Sequence, residues 1–160
     1  MTRRAIPRGA VAPRPRSVTA RILLLAARMV KRGWLQWDAA KTADGRSVPT
    51  KYHRANYDVP VVAVCFTEAV FRAAYQITGE VYSDALSAYD EYPTIRAVCD
   101  ALLAVKPDLH DVGPINWNND PERTQEDVVA LLRAAARRSR SACSAAATSR
   151  DQAPSLRPQP

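Results

Sequence analysis

Hydrophobic positions along this chain recur mostly at helical spacing, in blocks separated by short polar segments. Ser17 or Thr19 can cap the first block, in which Ile22, Leu25, Met29 and Val30 fall on one side of a predicted helix ending near Arg32. Lys31 and Arg32 suit its C-terminus, and Gly33 suits a left-handed closing residue. Residues 34–56 are polar and punctuated. Asp44-Gly45 reads as a turn, Val48 and Tyr52 suit short extended pieces, and Pro49 argues against a regular central strand. The segment is therefore an ordered loop with room for a small hairpin.

Asp58 and Pro60 open a second predicted helix, from Val61 to about Ile77, closed by Gly79. Its first half is apolar on nearly all sides, the mark of a central, buried helix. Ser83 starts a short helix to about Tyr89. Pro93 and Thr94 start another, from Ile95 to about Val105, with Ile95, Val98, Cys99, Leu102 and Leu103 as its apolar side, and Lys106-Pro107 stops it. Residues 113–136 turn from a polar loop holding Trp117 into the most strongly signalled helix. Asp120-Pro121 suits helix entry, Thr124 and Asp127 form an acidic variant of the capping box, and Val128, Leu131, Leu132 and Ala135 make one apolar face. That helix is expected from about Thr124 to Arg138. The pattern predicts an all-α fold, a compact bundle of four to five helices with an ordered polar loop after the first. One domain spans residues 17–138. Residues 1–16 and 139–160 lack a hydrophobic pattern and are expected to be disordered tails.

Charge changes the picture only after it is divided. The 160-residue chain carries +7, but residues 1–17 hold five Arg and no acid, and residues 134–160 hold five Arg against Asp151. Residues 18–133 hold 13 basic and 15 acidic side chains. Basicity thus belongs to the tails, which argues against a folded nucleic-acid-binding face. The acid-free, Arg-rich start resembles an organellar transit peptide in composition, though a plain basic tail explains it more simply. The apolar run Ile22 to Ala27 is far short of a membrane span or a secretory segment. Cys65, Cys99 and Cys143 are odd in number and lack metal-site spacing, which fits free thiols in a reducing compartment. Cys65 and Cys99 fall inside predicted helices as small apolar residues.

Few residues carry candidate chemistry. Trp117, Asn118 and Asp120, with Trp34 and Trp37, combine apolar area with directional hydrogen-bonding groups, as a ligand or partner pocket requires. Arg123 and Thr124 adjoin them. The competing explanation is structural: Trp117 plugs the end of a bundle and Asp120 caps the last helix. His53 and His110 are isolated, and the neighbouring acids Asp90-Glu91 and Glu126-Asp127 diverge on a helix rather than converge. Tyr75, Tyr82, Tyr89 and Tyr92 read as a core edge, and no phosphate-binding glycine loop occurs. No catalytic, metal-binding or cofactor-binding residue is assigned.

Three blocks stand in a telling order: Arg32-Gly33-Trp34 with Asp44-Gly45, then Cys65 to Ala73, then Trp117 to Val128. Together, over about residues 19–136, they resemble domain-of-unknown-function family 6197, small uncharacterised proteins of bacteria and their phages. The chain departs from that pattern in two places. Glu68 stands where the family usually has a small Gly, and Asn119 splits the usual Trp-Asn-Asp. The resemblance implies a fold and domain limits and leaves the activity open. The leading expectation is a cytoplasmic accessory or regulatory module that works by protein–protein contact. A second is weak, non-specific nucleic-acid association through the Arg-rich tails. A third is an enzyme or small-ligand binder with a site around Trp117, Asn118, Asp120 and Arg123.

Overall fold

The computed structural model describes residues 17–48, 54–81 and 92–151. The expected 1–16 tail, Pro49, Tyr52, His53, the helix from Ser83 to Tyr89 with Tyr82, the acids Asp90-Glu91, and residues 152–160 lie outside the described residues.

Helix α1 (Val18–Arg32) starts where Ser17 accepts a hydrogen bond from the Ala20 amide, at 3.4 Å. Its buried side includes Ile22, Met29 and Val30 of the expected apolar face together with Leu23, Ala26 and Ala27, whereas Leu25, expected on that face, is only half-buried. It packs between α3 (Phe66–Thr78) and the long α7 (Gln125–Asp151), and α4 (Pro93–Leu103) packs against both α1 and α7. Two short helices, α5 (Leu109–Val112) and α6 (Pro114–Asn119), lead into α7, and α2 (Arg54–Tyr57) is a single turn. α7 opens with the expected capping box. The Thr124 amide donates to Asp127 Oδ2 at 3.0 Å, and the Asp127 amide donates back to Thr124 Oγ1 at 3.2 Å. The Thr124 amide, and then the Thr124 hydroxyl, which donates to the same oxygen at 2.8 Å, hold the Asp127 carboxyl below its ordinary pKa.

The fold is mostly helical but not all-α. Strands β1 (Ala40–Lys41), β2 (Ser47–Val48) and β3 (Ala63–Val64) form a small antiparallel sheet in the order β2-β1-β3, with Ala40 opposite both Val48 and Val64. The Asp44-Gly45 turn joins β1 to β2, so the small hairpin is present. The second helix, expected from Val61, begins at Phe66 instead. A short apolar run fits a buried strand as well as a helix, and after a bend at Val62 the chain enters β3, where β-branched Val64 is buried. Cys65 consequently caps α3 rather than sitting within it, and its Sγ accepts from the Glu68 amide at 3.4 Å. Gly79 closes α3 in the left-handed conformation, as expected, with φ 76°.

Three further expectations need correction. Asp120-Pro121 does not enter the last helix. Asp120 precedes a turn made by Pro121 and Glu122, and the capping box beginning at Thr124 sets the start. The polar loop around Trp117 is largely α5 and α6. Finally, α7 continues past Arg138 to Asp151, because its Ala-, Ser- and Arg-rich end contains neither Gly nor Pro.

Gly33 also differs from expectation: its φ of −174° is extended, not left-handed. Glycine is required there by proximity. A Cβ would stand 2.3 Å from the Val62 carbonyl oxygen and 2.9 Å from Ala63 Cβ, where β3 crosses the end of α1. The Gly33 carbonyl accepts from the Val64 amide at 3.0 Å, and the Leu35 amide donates to the Val64 carbonyl at 3.1 Å. Because backbone rather than a flexible side chain blocks the space, Gly33→Ala should destabilise the protein by about 2–3 kcal/mol in chemical denaturation. An unchanged midpoint would mean that β3 can lift from α1 without loss.

Candidate functional site

Asn118 sits at the centre of the expected cluster, on α6 and 2% exposed. Its Oδ1 accepts from Trp34 Nε1 at 2.8 Å and from the Phe66 amide at 3.1 Å. Its Nδ2 donates to the Leu35 carbonyl and to Asn119 Oδ1, both at 3.0 Å. An amide has two acceptor sites and two donor hydrogens, and all four are taken. Asn118 thereby ties the loop after α1 to the N-terminus of α3, where the Phe66 N–H has no partner within its own helix. Gln36 adds to the same joint. Its Nε2 donates to the Asn118 and Asp120 carbonyls at 3.2 and 2.7 Å.

Trp117 faces inward beside this hub, 4% exposed, with its ring edge-on to Phe66 at 5.7 Å. Arg123 lies across the outer face of the indole, its guanidinium carbon 4.2 Å from the ring centroid, and Lys106 Nζ stands 6.0 Å away. Arg123 is held there by Asp120 Oδ2 at 3.0 Å and by the Trp117 carbonyl at 3.3 Å. The other Asp120 oxygen accepts from the Glu122 amide. Trp117 Nε1 is buried without a hydrogen-bond partner among the described residues.

The seven expected residues therefore divide. Trp34, Asn118, Trp117, Asp120 and Arg123 form one connected cluster. Thr124 is one step removed, in the capping box of α7. Trp37 points away from it, 77% exposed, although its amide donates to Asn119 Oδ1 at 2.9 Å. The inserted Asn119 thus acts as the clip that holds the Trp37 backbone. Trp37 is also the one non-glycine residue of positive φ among the described residues, at 62°, a conformation rare for bulky side chains. Ile115, one helical turn before Asn119 on α6, is 55% exposed, and Val112 is exposed just before it.

Residue patterns gave no warning of a second polar centre. Glu68 and Arg72, four apart on α3, form a buried ion pair with Arg72 Nε 2.7 Å from Glu68 Oε1. The guanidinium also donates to the carbonyls of Asn56, Tyr57 and Val59, at 2.9, 3.2 and 3.2 Å. Burial pushes the Glu68 carboxyl above its ordinary range, with Arg72 pulling the other way. Glu68 thus places a paired carboxylate in the buried first turn of α3. The i, i+4 spacing of opposite charges inside an apolar segment was the available clue. A cavity of about 550 Å³ adjoins Arg72, lined also by Arg32, Tyr57, Asp58 and Gln76.

The remaining reactive groups are scattered. Burial pushes the Cys65 and Cys99 thiols up to about 11, which leaves them protonated at neutral pH. His110 is exposed beside Asp111, with Nδ1 3.2 Å from Oδ1, and no nucleophile adjoins the pair among the described residues. No group of three His, Cys, Asp or Glu side chains among the described residues is placed to hold a metal ion. No helix among the described residues is long and apolar enough to cross a membrane.

No curated protein and no solved structure matches the chain. A protein-family model matches residues 14–138, from just before α1 into α7, and includes the Gly33-Trp34 turn, α3 and the Asn118 hub. On that match the chain belongs to DUF6197, a family of unknown function.

Proposed function

We propose that this protein is an accessory or regulatory binding module of a bacterium or phage, working in the cytoplasm through protein–protein contact. One observation carries the reading: Trp37 is displayed to solvent on a backbone of positive φ, and a hydrogen bond to Asn119 holds it there. A bulky residue in that region costs about 1–3 kcal/mol, a cost usually found where function requires it. Trp is also the residue most enriched at the energetic centres of interfaces. Trp37, Ile115 and Val112 are exposed apolar side chains of the kind an apolar cleft on a partner would cover. The pocket reading of Trp117, Asn118 and Asp120 is less supported, because their polar side-chain groups other than Trp117 Nε1 are engaged within the protein. Three cysteines without a disulfide agree with a reducing compartment.

Trp37→Gly separates binding from folding. Glycine accepts φ 62° freely and little apolar burial is lost, so stability should change by less than ~1 kcal/mol. Affinity for the partner should fall at least ~30-fold, as for an interface centre. The check is capture from the native host with full-length protein, purification of the captured partner, and titration against both forms. Equal affinity of Trp37→Gly and the parent protein would reject the reading.

A further inference from the structure

Basic residues of the first and last helices, far apart in the sequence, meet on one face of the fold. α1 and α7 run antiparallel. Ser17 Oγ lies 3.0 Å from Ser139 Oγ at one end, and Gln125 Nε2 donates to the Val30 carbonyl at the other. α1 carries Arg21, Arg28, Lys31 and Arg32 and no acid, and residues 128–150 of α7 carry five Arg and no acid. Arg21, Leu25, Arg28 and Arg32 recur at i, i+4, i+7 and i+11, a single stripe about 16 Å long. Lys31 lines one hollow with Arg28 and Arg32 and another with Arg133, so the α1 stripe continues onto α7. Arg21, Arg28, Lys31, Arg32, Arg133 and Arg137 are all exposed, and none forms an ion pair among the described residues. Glu126 and Asp127 bound the face at the α7 N-terminus. At the opposite end, the segment ahead of Ser17 adds five more Arg and no acid.

We infer that this α1–α7 face docks the phosphate backbone of duplex DNA. Six cations without an ion pair among the described residues, five of them Arg, match a polyanion, and Arg suits phosphate oxygens best. The exposed residues of both helices include no Trp, Phe or Tyr. A single strand would want aromatic platforms, and a membrane surface would want large apolar anchors. Beyond Ser139, α7 runs a further ~18 Å to Asp151. An α-helix fits the major groove of B-form DNA, whereas the A-form groove of duplex RNA is too narrow.

The test is fluorescence anisotropy of a short labelled DNA duplex with the full chain, titrated across salt. Binding should be independent of base sequence, with a slope of log affinity against log salt of about −4, for four to five neutralised phosphates. The full-length variant Arg21→Gln/Arg28→Gln/Arg133→Gln/Arg137→Gln should lose at least ~50-fold in affinity and most of that slope. Its melting temperature should hold, because the four side chains are exposed and unpaired. A second full-length variant, with Arg3, Arg4, Arg8, Arg14 and Arg16 all replaced by Gln, should keep most of the affinity. Loss of binding in this second variant alone would place the contact in the N-terminal segment and overturn the inference. So would the absence of DNA binding at low salt. Binding that is equal or tighter to duplex RNA, or to vesicles of phosphatidylserine and phosphatidylcholine in equal parts, would overturn it too.

Discussion

Asn118→Leu is expected to destabilise this protein by about 4 kcal/mol or more, since each buried group left unpaired costs ~1–3 kcal/mol. Leucine nearly fills the same volume, so the loss isolates the hydrogen bonds. Trp34 Nε1–H, the Phe66 amide and the Leu35 carbonyl all lose their partner at once. For a domain of this size, such a loss lowers the melting temperature by roughly 12–20 °C. Trp34→Phe provides the graded control. It removes one donor and keeps most of the ring, so it should cost only ~1 kcal/mol. Calorimetric melting of the two variants checks the ordering. Equal, small shifts would mean that water enters the joint and replaces the amide, and that the hub does not hold the loop to α3.

Arg72→Met should be similarly severe, at ~3–5 kcal/mol, because it strands a buried carboxylate together with the Asn56, Tyr57 and Val59 carbonyls. Glu68→Gln should cost far less. Burial raises the Glu68 carboxyl above its usual pKa of 4.5 despite Arg72, so the site favours the neutral form that glutamine imitates. Arg72 also keeps its three carbonyl acceptors. The sign of the pH dependence follows. A carboxyl with a raised folded pKa binds its proton more tightly in the folded state, so its contribution to stability declines as pH rises above ~4.5 and levels off above the folded value. Denaturation midpoints from pH 4 to 8 should fall less steeply for Glu68→Gln than for the parent protein. A steeper fall, or equal costs for the two single variants, would show that the pair is held by attraction rather than strained by burial.

The two centres differ in how visible they were from residue order. Trp117, Asn118, Asp120 and Arg123 stood out because polar and aromatic residues crowd a helix entry, and they do assemble. Their partners did not stand out. Gln36 and the Leu35 carbonyl lie more than 80 residues away and meet Asn118 only because α1 delivers them there. Trp37 was grouped with the other tryptophans by residue type, but its backbone conformation turns it outward. No local pattern encodes that conformation, since it arises from the Asn119 clip across the fold.

The chain's own residue order determined the helices and their limits wherever periodicity and capping agree. α1, α3 beyond Phe66, α4 and the Thr124–Asp127 start of α7 follow from side-chain spacing and local hydrogen bonds, which act within a few residues. Tertiary structure alone decided the rest. Ala63 and Val64 became a strand because Lys41 and Ala40 were available to pair with them, and Gly33 is needed because β3 and the Val62 carbonyl before it come within contact of it. Arg21, Arg28, Lys31 and Arg32 became one surface with Arg133 and Arg137 because α1 and α7 pack antiparallel. Each of those outcomes rests on groups far apart in the chain, whose meeting is set by burial of the shared core and not by any local preference.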